Sequence, residues 1–204
     1  MMNRGKLVIV SGFSGAGKGT VMHQLIANNS NYALSVSATT RQPRPNEVEG
    51  VSYFFKTHEE FENMIENDEL LEYARYVDNY YGTPKAFVEA MRDEGKDVLL
   101  EIEMQGAMLV KGKCPDAILI FITTKDAVTL RDRLTGRGTE TPEVIEKRMD
   151  RAREEAQGVE NYDYIVVNDV LEECVETVDR IVKSEHNRTD DKISIIKGIC
   201  KELS

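Results

Sequence analysis

A short glycine-rich segment, directly after an apolar run near the start of the chain, constrains the fold more than any other feature. The apolar run covers residues 7–10, and residues 12–20 read GFSGAGKGT before a helix-like stretch. Glycines allow the backbone to curl so that successive N–H groups point at one anion, and the following helix adds its positive N-terminal end. Lys18 can then reach the outer phosphates of a nucleotide. The segment therefore predicts a strand, a phosphate-binding loop and a helix, in that order.

The loop departs from the common pattern G-x-x-x-x-G-K-[ST] at one place. Gly19 stands where a hydroxyl residue usually binds magnesium, and Thr20 follows one position later. A glycine-rich turn without a ligand is the alternative, but strand, loop, lysine and helix all occur in the required order. We therefore take the whole segment as a candidate nucleotide phosphate site. Its residues are Gly12, Phe13, Ser14, Gly15, Ala16, Gly17, Lys18, Gly19 and Thr20.

Strand-like and helix-like segments alternate along much of the chain, which predicts an α/β fold with a parallel sheet and helices on both faces. Further buried strands are expected at residues 97–100, 117–122 and 164–167. Helices are expected at residues 18–28, about 126–134 and 170–185. The tail after His186 has apolar residues at the spacing of an amphipathic helix.

Residues 35–95 break this alternation and predict a small mixed α+β insert. A helix near 58–67 begins with a capping box formed by Thr57 and Glu60. The next helix is expected to begin at Thr83, as N-cap, with a proline in its first turn. Short strands are expected around these helices at residues 35–39, 51–55 and 70–77.

Residues 126–157 are rich in charge and predict a short helical lid. Arg137 lies between two glycines, which favours a mobile flap because glycine admits hinge dihedrals easily. We expect one domain over residues 1–204, with this lid and the insert projecting from a single core. The core is expected at about residues 1–34, 96–125 and 158–204.

Charge and cysteine usage limit the classes of partner and the compartment. The chain has 26 lysine and arginine residues against 36 acidic ones, for a net charge of −10, which argues against general nucleic-acid or membrane binding. The three cysteines are odd in number and include no C-x-x-C pair, so we expect reduced thiols in a cytoplasmic protein. The apolar run at residues 7–10 is too short for a signal peptide.

An anionic ligand of such an acidic chain must meet a local cluster of cations, as phosphoryl transfer requires. Arg41 and Arg44 lie three apart in a proline-rich stretch, where polyproline geometry puts both on one side. Arg133 and Arg137 are four apart and share a face if their helix persists. Two alternatives stay open: Arg41 and Arg44 can form a solvated basic loop, and Arg148 can pair with nearby glutamates. The candidate cations are Lys18, Arg41, Arg44, Arg133, Arg137 and Arg148.

Three carboxylates are candidates for reading a base. Glu101 and Glu103 end an apolar strand two residues apart, so both are expected on one face at the strand end where α/β sheets bind ligands. Glu72 is the third candidate. Guanine offers two adjacent N–H donors that a carboxylate accepts, whereas adenine presents an acceptor there. The alternative is that Glu103 only caps or hydrates the strand end.

Tyr53 and Tyr81 flank the insert, and their hydroxyls could donate to phosphate oxygens. Ordinary packing is the alternative for both tyrosines. The three histidines are too dispersed for a metal site, and the sequence assigns no metal-binding side chain.

Five segments, taken in order, resemble the guanylate kinase family, and the resemblance covers nearly the whole chain. It implies a P-loop NTPase-type parallel core with a GMP-binding insert and a lid. Gly19 replaces the usual serine, and Glu101 and Glu103 stand where many members have aspartate. The segments are SVSATTRQPR at 35–44, GVSYFF at 50–55, NYYGT at 79–83, EIEMQGA at 101–107 and RGTET at 137–141.

The resemblance also implies a role for each candidate residue. The phosphate of GMP would be held by Arg41, Arg44, Tyr53 and Tyr81. The guanine would be read by Ser37, Glu72, Thr83 and Glu101, with Glu103 also in the GMP site. The adenine of ATP would lie near Asn168. The catalytic set would be Lys18, Arg41, Arg133, Arg137 and Arg148.

The implied activity is reversible, Mg²⁺-dependent transfer of the γ-phosphoryl group of ATP to GMP, and also to dGMP, giving ADP and GDP in the first case. ATP and GMP are the implied partners, and we expect a monomer or a weak homo-oligomer. Two alternatives stay open: a catalytically inactive guanylate-kinase-like interaction module, and a related kinase that phosphorylates a phosphosugar.

Overall fold

The computed structural model describes residues 4–136 and 141–203. The strands in this part of the chain are β1 Leu7–Gly12, β2 Tyr32–Leu34, β3 Ala38–Thr39, β4 Phe54–Phe55, β5 Leu70–Tyr76, β6 Asn79–Pro84, β7 Asp97–Glu101, β8 Ile118–Thr123 and β9 Tyr164–Val167. The helices are α1 Lys18–Asn28, α2 His58–Glu66, α3 Lys85–Asp93, α4 Met104–Lys113, α5 Ala127–Thr135, α6 Pro142–Glu155, α7 Leu171–Glu185 and α8 Thr189–Glu202. A 3₁₀ segment, Ala156–Asn161, follows α6.

The larger sheet has five parallel strands in the order β2-β7-β1-β8-β9. The central strand β1 pairs with a neighbour on each side, and Ile9 lies opposite Leu100 of β7 and Leu119 of β8. The predicted strands at 7–10, 97–100, 117–122 and 164–167 are confirmed. Their carboxyl ends meet at one edge of the sheet, where parallel α/β folds bind ligands.

Successive residues of β1 point to opposite faces of the sheet, and both faces are covered. On one face, Val8 and Val10 pack in a cluster with residues of α1 and α7, including Leu25 and Val178. On the other face, the neighbouring β1 residues pack in a second cluster with Val88 of α3 and with residues of α4. The fold is therefore the predicted parallel core with helices on both faces.

A second, smaller sheet has the order β4-β3-β6-β5 and mixes one parallel with two antiparallel pairings. Helix α2 packs on it through Phe61, which is fully buried. The predicted capping box of α2 is confirmed: the Glu60 N–H donates to Thr57 Oγ1 at 3.1 Å, and the Thr57 N–H donates to Glu60 Oε2 at 2.7 Å. The insert is thus held by a small core of its own.

The predicted start of the next helix was wrong. Thr83 and Pro84 belong to β6, and α3 begins at Lys85 without a side-chain cap. The Thr83 hydroxyl donates instead to Glu72 Oε1 at 2.6 Å, inside the protein. The threonine-proline pair is a common helix start, but here the buried carboxylate of β5 takes the hydroxyl as its partner.

Charge-rich helices α5 and α6 follow β8, and Arg137 lies outside the described residues, between them. Helix α5 begins at the N-cap Asp126, whose side chain accepts the N–H of Thr129. The amphipathic tail forms α8, as the spacing of its apolar residues predicts. No helix in the described ranges is long and apolar enough to cross a membrane.

Candidate active site

The loop between β1 and α1 has the backbone shape that its glycines predict. Gly17 has φ +91° and immediately precedes α1, and Gly12 has φ +150° at the end of β1. A side-chain carbon at Gly12 would lie 2.0 Å from the Ile122 carbonyl oxygen, and one at Gly17 would lie 2.6 Å from Asn168 Nδ2. A larger residue at either position would have to move its neighbour, so both positions favour glycine.

Lys18 turns back over the loop. Its ammonium donates to the carbonyl oxygens of Gly12, at 2.8 Å, and Phe13, at 3.3 Å. These bonds place the cation beside the loop, at the carboxyl edge of the large sheet. A phosphate cradled by the loop would meet the positive end of α1 and this ammonium together.

Two other side chains hold the loop from behind. Asn168, which is buried directly after β9, donates from Nδ2 to the Ala16 carbonyl at 2.8 Å. Arg133, on α5, donates to the Asn168 carbonyl at 2.8 Å and to the Ala16 carbonyl at 3.4 Å. The predicted donor-site residues Asn168 and Arg133 thus contact the loop.

Arg148, on α6, also reaches the loop, and its guanidinium donates to Ser14 Oγ at 2.5 Å. Two helices of the charge-rich segment therefore each send one arginine to the same loop. Arg137 cannot be placed, because it lies outside the described residues.

In the insert, Arg41 is held by a carboxylate that sequence reasoning missed. Its two terminal nitrogens donate to the two oxygens of Glu47 at 2.8 and 3.0 Å, and both side chains are less than one-fifth exposed. The Glu47 carboxylate also accepts the Arg44 N–H at 2.7 Å, and the Arg41 guanidinium holds its pKa below the usual range. Arg41 is not part of a freely solvated loop, whereas the Arg44 residue is exposed.

Tyr53 and Tyr81 stand beside Arg41. The Arg41 guanidinium lies over the Tyr53 ring, 5.4 Å from its centre, and the two tyrosine rings are 6.2 Å apart in an edge-to-face arrangement. The hydrogen bonds to Glu47 raise the pKa of Arg41, and the nearby Tyr81 hydroxyl raises it further. Three of the four side chains predicted to bind the phosphate therefore form one group, whereas the fourth residue, Arg44, is exposed and contacts Glu47 through its backbone N–H.

The buried Glu72 lies on β5, and its carboxylate accepts the Thr83 hydroxyl. Burial raises the pKa of Glu72, and the Thr83 hydrogen bond lowers it by less. A buried carboxylate with one hydroxyl partner keeps acceptor capacity for further N–H donors. It lines a cavity of about 580 Å³ with Ser37, Tyr53 and Tyr81.

A second cavity, of about 670 Å³, lies against the loop. Lys18, Ser14 and Arg148 line it. Tyr53 and Glu101 line both this cavity and the one around Glu72. The two cavities adjoin, and together they form a cleft that runs from the loop to Glu72. Of the predicted site residues, it is lined by Gly12, Ser14, Lys18, Ser37, Tyr53, Glu72, Tyr81, Glu101, Glu103 and Arg148. Its lining does not include Arg41, Arg44, Thr83, Arg133 or Asn168.

The expectation that the strand ends with both Glu101 and Glu103 was wrong at Glu103. Glu101 is the last residue of β7, and Glu103 is already the N-cap of α4. The Glu103 side chain does not cap α4 but accepts a hydrogen bond from Arg151 Nη2 at 2.5 Å. Both glutamates still line the cleft. Arg151 was missed, although it lies three residues after Arg148 and so shares its helix face.

No group of three or more His, Cys, Asp or Glu side chains in the described residues could hold a metal ion alone. One carboxylate does lie close to the loop: Glu101 Oε2 would be 3.7 Å from a side-chain carbon at Gly19, the position where a hydroxyl ligand is usual. Mg²⁺ in phosphoryl-transfer sites is held mainly by phosphates, waters and one or two carboxylates. The donor set therefore fits a Mg²⁺ ion that arrives with a nucleotide.

Comparisons with known proteins agree with this geometry. The family model described as guanylate kinase matches residues 4–185. A guanylate kinase of Lactococcus lactis is 52% identical over 190 residues, which are 93% of each chain, and one of Latilactobacillus sakei is 49% identical over 203 residues, which are 99% of this chain and all of the relative. The crystal structure of guanylate kinase from Anaplasma phagocytophilum matches with a TM-score of 0.70 at 31% identity, over 92% of this chain and 89% of that one.

Proposed function

Because this chain belongs to the guanylate kinase family and transfers the γ-phosphoryl group of ATP to GMP, we propose that the transfer takes place in the cleft between the loop and Glu72. One observation carries the proposal: the cavity lined by Lys18 and the cavity lined by Glu72 adjoin and share Tyr53 and Glu101. A donor triphosphate on the loop and a monophosphate whose base contacts Glu72 would therefore meet end to end.

The loop binds the phosphates of ATP. Its backbone N–H groups and the N-terminus of α1 surround them. The Lys18 ammonium, which donates to loop carbonyl oxygens in this structure, would donate to phosphate oxygens instead. Arg148 lines the cleft beside the loop, where charge develops on the moving group. Arg133 supports the loop through the Ala16 and Asn168 carbonyls, and its direct contact with the moving group, like that of Arg137, is assigned by the family resemblance alone. Asn168 fixes the Ala16 carbonyl and so keeps the loop open towards the phosphates.

At the acceptor end, Arg41 binds the phosphate of GMP together with Arg44, Tyr53 and Tyr81. Because the two terminal nitrogens of Arg41 already donate to Glu47, the phosphate would accept two N–H···O bonds from the Nε side of the planar guanidinium. Glu47 holds Arg41 in that orientation and ties it to the Arg44 backbone. We therefore place Glu47 as a residue that positions the phosphate-binding arginine.

The guanine of GMP is read at the far end of the cleft. The ionised Glu72 carboxylate accepts the two N–H donors on the pairing edge, while the Thr83 hydroxyl keeps it in place. Ser37 and Glu101 line the same cavity and supply further polar contacts. Adenine would face Glu72 with a lone pair, which would leave a buried charge without its partner.

Mg²⁺ bound to the phosphates of ATP would neutralise part of their charge. Glu101, beside the loop, is the side chain of this chain placed to bind that ion or one of its waters. Thr20 is exposed one residue beyond the usual ligand position, so its hydroxyl is a further candidate.

No protein general base is needed for the transfer. The acceptor is a phosphate group whose second pKa is about 6, so it is largely ionised at neutral pH. The main barrier is the repulsion between two polyanions, which Lys18 and the arginines reduce. Closure of the insert and of the charge-rich helices over the cleft would exclude water, a competing acceptor.

The two rival functions are not favoured. An inactive interaction module has no need of the donor machinery, yet Lys18, Arg133 and Arg148 all contact the loop here. A phosphosugar kinase has no base to read, yet Glu72 is kept in a buried, polar pocket at a cost in solvation. A cytoplasmic location, where ATP and GMP are both available, stays a prediction.

A coupled assay for ADP release tests the proposal directly. The acceptors should be GMP, dGMP, AMP, CMP, UMP and ribose 5-phosphate, each with and without Mg²⁺. Turnover is expected with GMP and dGMP only, and only with Mg²⁺. Turnover on AMP would overturn the base-reading role of Glu72, and turnover on ribose 5-phosphate alone would favour the phosphosugar kinase.

Replacing Arg41 by alanine should weaken the use of GMP selectively. A lost hydrogen bond to a charged group costs about 1.5–3 kcal/mol, so kcat/KM for GMP should fall roughly 10- to 100-fold, while KM for ATP changes less than about twofold. Initial rates at varied GMP and varied ATP measure both. Arg180→Ala, which removes an exposed arginine on α7, is the matched control. An equal loss for both substrates would remove Arg41 from the acceptor site.

A further inference from the structure

The two cavities of the cleft meet at a junction that is lined from two parts of the chain. Among the residues that the structure describes, five line both cavities. They are Glu101, Ile102 and Glu103, from the end of β7 to the start of α4, and Tyr53 and Tyr76, from the insert. Ile102 packs against one of the two apolar clusters of the large sheet, whereas Tyr76 is 71% exposed. Tyr76 is thus a largely exposed side chain that still lines the place where donor and acceptor would meet.

The strand pairing of the insert places Tyr76 on the face that carries the acceptor site. Tyr76 lies opposite Asn79 of β6, and Ala74 lies opposite Tyr81. Residues that lie opposite each other on neighbouring strands share a face of the sheet, and so do residues two apart on one strand. Tyr76 therefore lies on the same face of the small sheet as Tyr81, one of the side chains assigned to the phosphate of GMP.

The turn that follows Tyr76 is unusual. Only Val77 and Asp78 separate β5 from β6, and Val77 has φ +55°, in the left-handed region that a β-branched residue rarely adopts. Turns of two residues normally have glycine, asparagine or aspartate where φ is positive. Val77 is 73% exposed, so burial of its side chain does not account for a valine there. Strained backbone concentrates at active sites and ligand clamps, which agrees with a functional hairpin tip beside Tyr76.

A phosphoryl group that is transferred at the junction needs protection from water. Water that reaches the γ-phosphorus of ATP forms a P–O bond through its oxygen while the bond to ADP breaks, and the products are ADP, orthophosphate and a proton. Glu101 and Glu103 are carboxylates, which hold water rather than exclude it. Of the two rings that the insert places at the junction, that of Tyr53 packs against the Arg41 guanidinium. The Tyr76 ring is the other, and exclusion of water is the chemistry that it can supply.

We propose that Tyr76 closes the junction over the transferring phosphoryl group, so that its ring keeps water from the γ-phosphorus while ATP and GMP are both bound. Tyr76 neutralises no charge; it decides which acceptor, GMP or water, receives the phosphoryl group. The inference rests on the proposed assignment of the cleft. It adds the side chain of the insert that carries out the exclusion of water on closure.

Orthophosphate and GDP, measured together in one reaction with ATP and GMP, test this role. Tyr76→Ala should release orthophosphate at least about tenfold faster than the wild type, which corresponds to about 1.4 kcal/mol less discrimination against water. Formation of GDP should slow by less than about tenfold, because no charge has been removed from the transition state. An unchanged rate of orthophosphate release in Tyr76→Ala would overturn the proposal.

Two further variants separate the ring from other effects. Tyr76→Phe keeps the ring and removes the hydroxyl, so it should release orthophosphate almost as slowly as the wild type. Val51→Ala is the matched control, because Val51 is a residue of the insert that is 72% exposed and does not line either cavity. Fast release from Tyr76→Phe would assign the effect to the hydroxyl, and fast release from Val51→Ala would assign it to a loosened insert. Either result would contradict the proposal.

A fluorescence measurement tests closure without catalysis. The chain contains no tryptophan, so Tyr76→Trp places a single indole at the junction. When GMP and a non-hydrolysable ATP analogue are bound together, its emission should shift to shorter wavelength and acrylamide should quench it less, because the ring leaves water. Val51→Trp should show neither change.

Equilibrium dialysis of both ligands distinguishes the two ways in which this experiment can fail. If GMP or the ATP analogue does not bind, the assignment of the cleft is wrong. If both ligands bind and the emission and quenching of Tyr76→Trp stay unchanged, the cleft assignment stands and the proposed role of Tyr76 is overturned.

Discussion

Replacing Lys18 by alanine should lower kcat for GMP phosphorylation roughly 10²- to 10³-fold, the usual loss when one preorganised charge is removed from a developing transition state. Lys18 donates to the carbonyl oxygens of Gly12 and Phe13 and lines the cleft, where water can take its place at these oxygens. The free energy of unfolding should therefore change by only about 1 kcal/mol or less.

Steady-state rates with ATP and GMP both varied measure this effect, and urea denaturation measures the stability. Lys18→Arg keeps the charge and should retain more activity than the alanine variant. Lys183→Ala, which removes an exposed lysine of α7 paired with Asp179, is the matched control and should leave kcat unchanged. If Lys18→Ala kept more than about half of the wild-type kcat, the loop would not be the donor site.

Replacing Glu72 by glutamine should produce an enzyme that is more stable at neutral pH but much poorer with GMP. Glutamine can still accept the Thr83 hydroxyl, but its amide nitrogen would face a guanine N–H with another donor. Since hydrogen bonds to a charged group are worth about 1.5–3 kcal/mol each, kcat/KM for GMP should fall roughly 10²- to 10³-fold, with KM for ATP nearly unchanged.

The stability gain has a definite pH dependence. Burial raises the pKa of Glu72 in the folded protein. Between its ordinary pKa and the raised value, the folded state binds the extra proton, so wild-type stability falls as pH rises through this window. Glutamine does not ionise, so the Glu72→Gln variant does not lose stability in this pH window. Urea denaturation should therefore show little difference between the two proteins at about pH 4 and a more stable glutamine variant at about pH 8. A less stable variant at the higher pH would contradict the burial argument.

Thr83→Val tests whether the Thr83 hydroxyl keeps the Glu72 carboxylate ionised. It removes the hydroxyl that donates to Glu72 but keeps the shape of the side chain. Because the hydroxyl favours the ionised carboxylate, its loss should raise the Glu72 pKa further, and the useful pH range for GMP should shift upwards. An unchanged pH range in this variant would contradict the role of the Thr83 hydroxyl in keeping Glu72 ionised.

Features set by neighbouring residues were predictable. The loop could be read from glycines at fixed positions after a short apolar run, and Gly12 and Gly17 indeed have no room for a side chain. The capping box of α2 uses two residues three apart, Thr57 and Glu60, so local sequence contains the whole interaction. The buried parallel strands were equally plain, because both faces of the sheet require apolar residues.

Features that depend on distant partners were not predictable. Thr83 reads locally as a helix cap, and only the register of β5 against β6 reveals Glu72 as its partner. The role of Glu47 depends on a loop folding back over Arg41. Glu103 lies outside β7, which ends at Glu101. No spacing rule predicts a strand end to the exact residue.

The Asn168 amide fills the space that a side chain at Gly17 would need, although the two residues are far apart in sequence. The Asn168 amide sits 2.6 Å from where a side-chain carbon of Gly17 would be, and it holds a carbonyl of the loop 152 positions away. The conformation of the nine-residue loop therefore depends on a residue outside it. If the loop were grafted onto another strand-helix junction without an equivalent amide, it would lose the hydrogen bond to the Ala16 carbonyl. A design that reuses the loop must therefore also include a residue equivalent to Asn168.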